Sequence, residues 1–172
     1  RLYTYRAPVD NDNWAYNRWF ALGLFATEDE VLSMQATPVR EDGSVVVQYV
    51  VRTQAKAAGR RVKHEDNNFS LLSDGKPMGE EDFHFISNRI WTIYPDGSVE
   101  LNSVITGSEA SVSLARIGYE MQLSKDMTSY SYYGRGPWNN YNDRCTGSFI
   151  EQYSSTVKDQ FVAWPKPQDM AN

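Results

Sequence analysis

The sequence has one cysteine, two histidines and no long hydrophobic run. Cys145 is the only cysteine among the 172 residues, which excludes an internal disulfide and a metal site built from several thiolates. No stretch approaches the roughly eighteen consecutive apolar residues of a membrane span, and the N-terminus has no basic-then-apolar leader. The composition therefore predicts a soluble chain with no membrane partner.

An excess of positive charge is also lacking. The chain has 17 Lys and Arg against 22 Asp and Glu, a formal net charge of −5. Proteins that bind nucleic acid usually carry a basic patch, and the one basic cluster here, at residues 60–63, directly follows Gly59. Such a pair of charges in a turn is more typical of a solvated loop than of a phosphate site. We therefore predict no nucleic-acid partner.

Aromatic residues are plentiful, at 13% of the chain with five Trp and eleven Tyr. They favour strands and pack well in sheets. Flat sugar faces also dock onto exposed Trp and Tyr rings, so composition leaves core packing and sugar binding both open.

One helix is predicted, between Asn11 and Gly23. Asn11 or Asp12 supplies an N-cap and Gly23 a stop. Three apolar residues fall on one face at helical spacing, namely Ala15, Trp19 and Leu22.

Most of the remaining chain is predicted to be strand. Turn signals stand at residues 41–43 and at Pro95-Asp96-Gly97, and residues 59–81 are predicted to form a long loop or an irregular hairpin. Apolar residues alternate with polar ones or cluster as β-branched runs in the expected strands, which are Val31–Arg40, Ser44–Thr53, Ile90–Tyr94, Val99–Asn102 and Ile117–Leu123. The pattern predicts an antiparallel all-β sandwich with one short helix near its start.

Three segments resemble motifs of one enzyme family. Residues 5–12 read YRAPVDND, residues 133–144 read YGRGPWNNYNDR, and residues 165–172 read PKPQDMAN. They are similar to the RAP-x-DND, G-x-GP-x-EN-Y-x-DR and P-x-E-N-G motifs in the small-chain domain of glycoside hydrolase family 2 β-galactosidases. The chain departs from this pattern at Asn139, where Glu is usual, and at residues 169–171, which lack the usual Glu and Gly.

The resemblance implies a fold and a place within a larger protein. It implies an antiparallel supersandwich resembling galactose mutarotase, of which residues 1–172 are a truncated part without the C-terminal strands. It also implies a parent that hydrolyses terminal non-reducing β-D-galactose from β-galactosides, using carboxyls from a separate barrel domain. This chain is then expected to be scaffold and rim of the sugar site and inert alone. Its expected partners are the other domains of the parent and the galactoside.

The resemblance also bears on cofactors and location. No cofactor or metal ligand is expected in this chain. Whether the parent uses a divalent metal is left open by the sequence. A bacterial cytoplasmic or periplasmic location is expected, and the sequence leaves the compartment open.

The candidate contact residues follow the Gly134–Pro137 turn. Loops on rigid sheets often carry binding residues, so we predict substrate or interdomain contacts for the residues after this turn that match the second motif. They are Trp138, Asn139, Tyr141, Asp143 and Arg144.

No catalytic residue is predicted. A retaining glycosidase needs two carboxyls about 5 Å apart, one of them held protonated. Asp10, Asp12 and Asp143 instead lie near Arg6 or Arg144 in the sequence, and a neighbouring guanidinium favours the ionised carboxylate. The first motif is therefore predicted to be structural, through Arg6, Asp10, Asn11 and Asp12.

Two other functions remain as alternatives. One is a stand-alone sugar-binding or mutarotase-like module. Mutarotases use a pair of histidines with a carboxylate, whereas we expect His64 to be an ordinary surface residue and His84 an ordinary strand residue. A pure assembly domain is compatible with the accessory role.

Overall fold

The computed structural model describes residues 1–138, 140–141 and 145–161. The chain divides into two compact units. The first consists of Arg1–Arg6 and Asp12–Glu120, and the second of Ala7–Asn11 and Met121–Asn172.

The first unit contains eight strands that pair only with antiparallel neighbours. A four-stranded sheet has the order β2-β3-β6-β7, β4 and β5 form a separate hairpin, and β1 pairs with β8. The β4–β5 hairpin confirms the irregular hairpin predicted for residues 59–81. The strands are β1 (Leu2–Tyr3), β2 (Thr27–Ala36), β3 (Val45–Ala55), β4 (Arg60–Lys63), β5 (Phe69–Leu72), β6 (Phe85–Ile93), β7 (Val99–Gly107) and β8 (Gly118–Tyr119).

The predicted turns connect the sheet strands. Gly97 between β6 and β7 has a φ of 86°, which favours glycine. The Asp96 carboxylate accepts hydrogen bonds from both the backbone N–H and the hydroxyl of Ser98, at 2.8 and 2.7 Å. The turn between β2 and β3 repeats this design, since Gly43 also has a positive φ of 79°. Local chemistry therefore closes both hairpins.

The α-helix, α1 (Tyr16–Ala21), is shorter than predicted. The predicted cap at Asn11 or Asp12 is wrong, because the residue before the helix is Ala15 and no side chain caps it. A short 3₁₀ turn occupies Asp10–Asp12 instead. The predicted stop is confirmed, because Gly23 follows the C-cap residue Leu22 and has a φ of 63°.

The core of the first unit lies where α1 and the segment after it pack with β1 and β6. Trp19 is 2% exposed, and its indole N–H donates to the Ser113 carbonyl at 2.7 Å. The buried cluster consists of Leu2, Ala15, Trp19, Leu22, Leu24, Phe83 and Phe85.

The strand predicted at residues 117–123 is mostly wrong. Only Gly118 and Tyr119 pair, with the two residues of β1. Ile117, Met121 and Leu123 are each more than half exposed, although their sequence alternates as a half-buried strand would.

The second unit contains a hairpin of β9 (Ser129–Gly136) and β10 (Phe149–Thr156), followed by a 3₁₀ turn at Lys158–Gln160. Its strands are antiparallel in unbroken register, with Tyr132 opposite Tyr153. With almost no helix and antiparallel sheets in the described ranges, the predicted all-β class is confirmed. None of the described helices combines the length and the hydrophobicity needed to cross a membrane.

Candidate functional site

The second motif begins at the end of β9. A cis peptide bond joins Gly136 to Pro137, where the chain leaves the strand. Gly136 has no room for a side chain, because an added Cβ would overlap the Tyr132 hydroxyl and lie 3.1 Å from the Tyr153 ring. The Tyr153 hydroxyl lies 3.1 Å from the carbonyl oxygen of Gly136, to which it donates. Tyr132 and Tyr153 thus fix the position of the Gly136 backbone, where the loop begins.

Arg135 holds the two ends of the loop together. Its guanidinium donates to the backbone carbonyls of Ser148 at 2.7 Å and Cys145 at 3.2 Å, just before β10 begins. The side-chain amide of Asn140 donates to the Arg135 carbonyl at 3.3 Å. The loop that carries the motif is therefore braced by a residue of the motif itself.

This braced loop presents the two candidate aromatic residues. Trp138 is 73% exposed and Tyr141 is 38% exposed. An exposed indole beside a strand end is suited to stacking on a flat apolar face. The other three candidates, Asn139, Asp143 and Arg144, lie outside the described residues, so their placement stays a prediction.

A row of tyrosines outside the predicted site residues supports the loop. The Tyr132 ring lies 5.4 Å from Tyr153 and 6.1 Å from Tyr130, measured between centroids. Burial raises the pKa of Tyr153, and repulsion between its phenolate and the Glu151 carboxylate or the Tyr132 phenolate adds to this increase. The spacing of Tyr130, Tyr132, Gly134 and Gly136 at every second residue is the signal that predicts this face.

The first motif contains a buried ion pair. Arg6 donates to both carboxylate oxygens of Asp12, at 2.5 and 2.9 Å, and the two side chains are 12% and 8% exposed. The guanidinium also lies 5.8 Å from the centroid of the Trp19 ring. Asp10 and Asn11 are exposed in the short 3₁₀ turn. The structure thus brings Arg6 and Asp12 together, while the structural role of Asp10 and Asn11 stays a prediction.

A second ion pair, which joins the buried Arg89 to the partly exposed Asp29, was not predicted. The Arg89 guanidinium donates to Asp29 at 2.8 Å and to the Ser87 hydroxyl at 2.9 Å, while the Thr53 hydroxyl donates to Asp29 at 2.6 Å. Burial raises the pKa of Asp29, but the hydrogen bonds from Arg89 and Thr53 and the charge of Arg89 outweigh it, so the pKa lies below its ordinary value. The sequence feature that could have indicated this pair is Arg89, a charged residue at a position of β6 that alternation places on the buried face.

The buried carboxylate of Asp12 and the partly exposed one of Asp29 are therefore both matched to guanidinium groups. A carboxylate held ionised by an Arg fork is suited to fixing structure and not to donating a proton. In the described part of the chain, no three His, Cys, Asp or Glu side chains form a cluster that would hold a metal ion.

The two histidines have local partners. His64 is exposed in the β4–β5 hairpin, where its Nε2 lies 2.8 Å from the Ser70 hydroxyl. His84 precedes β6, and its Nδ1 lies 2.8 Å from the Asp82 carbonyl. The contact of His64 agrees with the prediction of an ordinary surface residue. His84 was predicted as a strand residue, but it lies one residue before β6.

Comparison with known proteins gives one consistent result. The family model described as "Beta galactosidase small chain" matches residues 1–172. A Beta-galactosidase of Halalkalibacterium halodurans is 29% identical over 133 residues, which cover 72% of this chain and 12% of that protein. A Beta-galactosidase of Oenococcus oeni is 23% identical over 176 residues, which cover 95% of this chain and 14% of that protein.

A third relative has a shorter match of higher identity. A Beta-galactosidase of Priestia megaterium is 32% identical over 82 residues, covering 48% of this chain and 8% of that protein. The chain thus spans less than one sixth of each of these relatives. Because the family model covers every residue, the chain belongs to the beta galactosidase small chain family.

Proposed function

We propose that this chain is an accessory β domain of a larger β-galactosidase, which hydrolyses terminal non-reducing β-D-galactose from β-galactosides. The observation that carries the proposal is the whole-chain family match, together with the small share of each relative that the chain spans. The catalytic carboxyls then belong to other domains of the parent, which are the principal partners of this chain. The galactose mutarotase-like supersandwich is part of the same proposal.

Within that protein, the loop after β9 forms part of the rim of the sugar site. Trp138 and Tyr141 supply ring faces for the apolar side of a galactoside, and Arg135 braces the loop from behind. A rim position explains why an indole stays 73% exposed on a loop whose ends Arg135 holds together. Asn139, Asp143 and Arg144 complete the proposed contact set, towards substrate or towards a neighbouring domain.

The chain by itself is inert as a hydrolase. The carboxylates of Asp12 and Asp29 each accept hydrogen bonds from an Arg, and such groups do not serve as the protonated acid of a glycosidase. A divalent metal of the parent, where one is used, is bound by residues other than those described here.

The coding sequence on either side of the 172 residues provides the first test. An adjoining barrel domain with a pair of catalytic carboxyls supports the accessory role. A coding sequence that ends at these 172 residues rejects it and favours a stand-alone sugar-binding or mutarotase-like module.

The second test is Trp138→Ala in the full parent enzyme. Stacking contacts of this kind are worth about 1 kcal/mol, so we expect KM for a β-galactoside to rise about fivefold while kcat changes little. Tyr133→Ala is the matched control, since Tyr133 is a 79% exposed ring on the strand leading to the loop. An unchanged KM in Trp138→Ala, or an equal rise in both variants, contradicts the rim role.

A further inference from the structure

The basic cluster at residues 60–63 lies in a strand and not in a turn. It forms β4, which pairs with β5 in a register that places Arg61 opposite Leu71 and Lys63 opposite Phe69. Residues directly opposite each other on paired strands share a face, and side chains two apart along one strand do so too. The two cations at 61 and 63 therefore lie on the same face of the β4–β5 hairpin as the phenylalanine.

The base of this hairpin is held by close backbone contacts. The Gly59 N–H donates to the carbonyl of Phe20 in α1 at 2.8 Å, and a Cβ on Gly59 would overlap that carbonyl oxygen. The Ala58 N–H donates to the Lys76 carbonyl at 2.8 Å, and the Gly75 N–H donates to the Ala58 carbonyl at 3.2 Å. A loop that only needs to be solvated does not require such a base. The hairpin is therefore presented from a fixed position on the first unit.

Two cations of the hairpin are available to an outside anion. Arg61 and Lys63 are both exposed, and they are two positions apart on one strand, which corresponds to about 7 Å. In the described part of the chain, neither of them pairs with a carboxylate. On a chain with a formal net charge of −5, these two side chains form a local cationic site.

Most of the other charges of the hairpin are satisfied locally. Arg60, on the opposite face of β4, donates to both carboxylate oxygens of Asp74 at 3.0 and 2.8 Å. Asp66, in the turn, accepts from the backbone N–H and the side-chain amide of Asn68 at 3.1 and 2.8 Å. Glu65 is exposed in the same turn, beyond the end of β4. The acidic residues therefore do not neutralise the face that carries the two cations.

Phe69 adds an aromatic ring to the same face. Its side chain is 43% exposed, and the Arg61 guanidinium carbon lies 3.9 Å from the centroid of the ring. A ring face packs on the apolar side of a pyranose, and a guanidinium fork binds a sulfate or a carboxylate. An acidic peptide needs the cations but not the ring, and a nucleic acid needs a larger basic patch. The combination fits a sugar that carries a negative charge.

We propose that the cationic hairpin face, defined as Arg61, Lys63 and Phe69, binds an anionic polysaccharide. The galactosides on which the parent acts are then carried by a galactan that bears sulfate or carboxylate groups. This inference rests on the proposed function and adds the substrate class to it. The hairpin holds the polymer, and the parent hydrolyses its terminal galactose at the active site.

Affinity electrophoresis of the longer protein tests the binding. One pair of probes is a sulfated galactan and the same galactan after desulfation, and the other is a uronate-bearing galactan before and after reduction of its carboxyls. We expect the anionic member of at least one pair to bind at least about tenfold more tightly, because hydrogen bonds to charged groups contribute about 1.5–3 kcal/mol. The pair that shows the difference identifies sulfate or carboxylate as the ligand. Equal affinities within both pairs overturn the proposal.

Two neighbouring arginines provide matched variants. Arg61→Gln and Arg60→Gln remove the same charge from adjacent positions of β4, on opposite faces. We expect Arg61→Gln to lower the affinity for the anionic galactan about tenfold. Arg60→Gln should change it by less than about twofold, because the exposed pair with Asp74 contributes little. Phe69→Ala should lower the affinity for the anionic and the neutral form alike, by about fivefold.

Three results contradict the proposal. Equal losses in Arg61→Gln and Arg60→Gln show unspecific attraction to charge. Binding of polyglutamate as tight as that of the anionic galactan shows a face for an acidic polypeptide. Turnover of a small chromogenic β-galactoside by the unmodified longer protein, without binding of either anionic galactan, overturns this inference alone. Absence of that turnover rejects the proposed function and this inference with it.

Discussion

The four-stranded sheet and the β9–β10 hairpin use different side chains to hold their strands. In the sheet unit, buried aliphatic residues, two phenylalanines and Trp19 form the core. Two Arg–Asp pairs add to it, one within the first motif and one between strands β2 and β6. In the hairpin, three tyrosine rings lie in a row beside glycines, and Arg135 binds only backbone carbonyls. The first is organised around a buried interior, and the second around an exposed aromatic loop.

This difference is the one expected between a scaffold, which is the sheet unit, and a contact surface, which we propose for the hairpin loop. A core of interlocking side chains fixes a fold, because volume changes there are costly. A braced loop that leaves Trp138 exposed gains nothing for its own stability from that indole. We infer that substitutions in the sheet unit change stability, whereas substitutions at the tip of the hairpin loop change binding.

The largest expected effect is at the core of the sheet unit. Trp19→Ala removes a side chain that is 2% exposed, its bond to the Ser113 carbonyl and its contact with Arg6. We expect a loss of about 4 kcal/mol in the free energy of unfolding, measured by urea denaturation. Trp14→Ala is the control, because Trp14 is 76% exposed and should change stability little. Equal losses at both positions would break the distinction between core and surface.

The Arg89–Asp29 pair gives the next largest effect. Asp29→Asn leaves the Arg89 guanidinium without its charged partner and should cost about 3 kcal/mol near neutral pH. Glu28→Gln is the control, since the Glu28–Lys56 pair is largely exposed and such pairs contribute little.

The same pair predicts a pH dependence. The folded-state pKa of Asp29 lies below the ordinary value of 3.8, so its contribution is complete above that pH and disappears as pH falls through the folded pKa. The stability difference between wild type and Asp29→Asn should therefore shrink in this acidic range. A difference that stays constant down to the lowest pH at which the protein folds would show that the ion pair is not its source.

A smaller effect is expected in the hairpin. Gly136→Ala forces a methyl group against the Tyr132 hydroxyl and the Tyr153 ring, at an expected cost of about 2 kcal/mol. Gly147→Ala in the same connection is the control, because nothing lies within 4 Å of its added Cβ. Thermal melts of the two variants compare them directly, and equal Tm values would mean that the tyrosine row does not constrain the loop.

Much of the fold follows from local sequence. The Asp-Gly turns and the stop at Gly23 depend on positive φ values that glycine readily adopts, and the sheet strands alternate as half-buried strands do. Residues 117–123 alternate equally well, yet only Gly118 and Tyr119 pair, because their partner strand β1 is two residues long. A strand requires a partner, and local pattern does not reveal that partner's length.

The ion pairs show where sequence reasoning stops. Arg6 and Asp12 lie six residues apart in one motif, so their pairing could be predicted from the sequence. Arg89 and Asp29 are separated by 60 residues. They meet because β2 and β6 both pair with β3, so that the Arg89 side chain reaches Asp29 across β3. The helix cap at Asp12 was predicted wrongly because a carboxylate that serves one buried Arg is not available to cap a helix.

The central claim is that this chain supports a sugar site without performing the hydrolysis, and a chromogenic β-galactoside assay tests it most directly. Circular dichroism with a cooperative melt first establishes that the purified 172-residue chain is folded. The account predicts no turnover above the buffer rate, whereas the longer parent turns the substrate over. Turnover that survives purification and is abolished in Asp10→Ala or Asp143→Ala would contradict the account and identify the chain as a hydrolase in its own right.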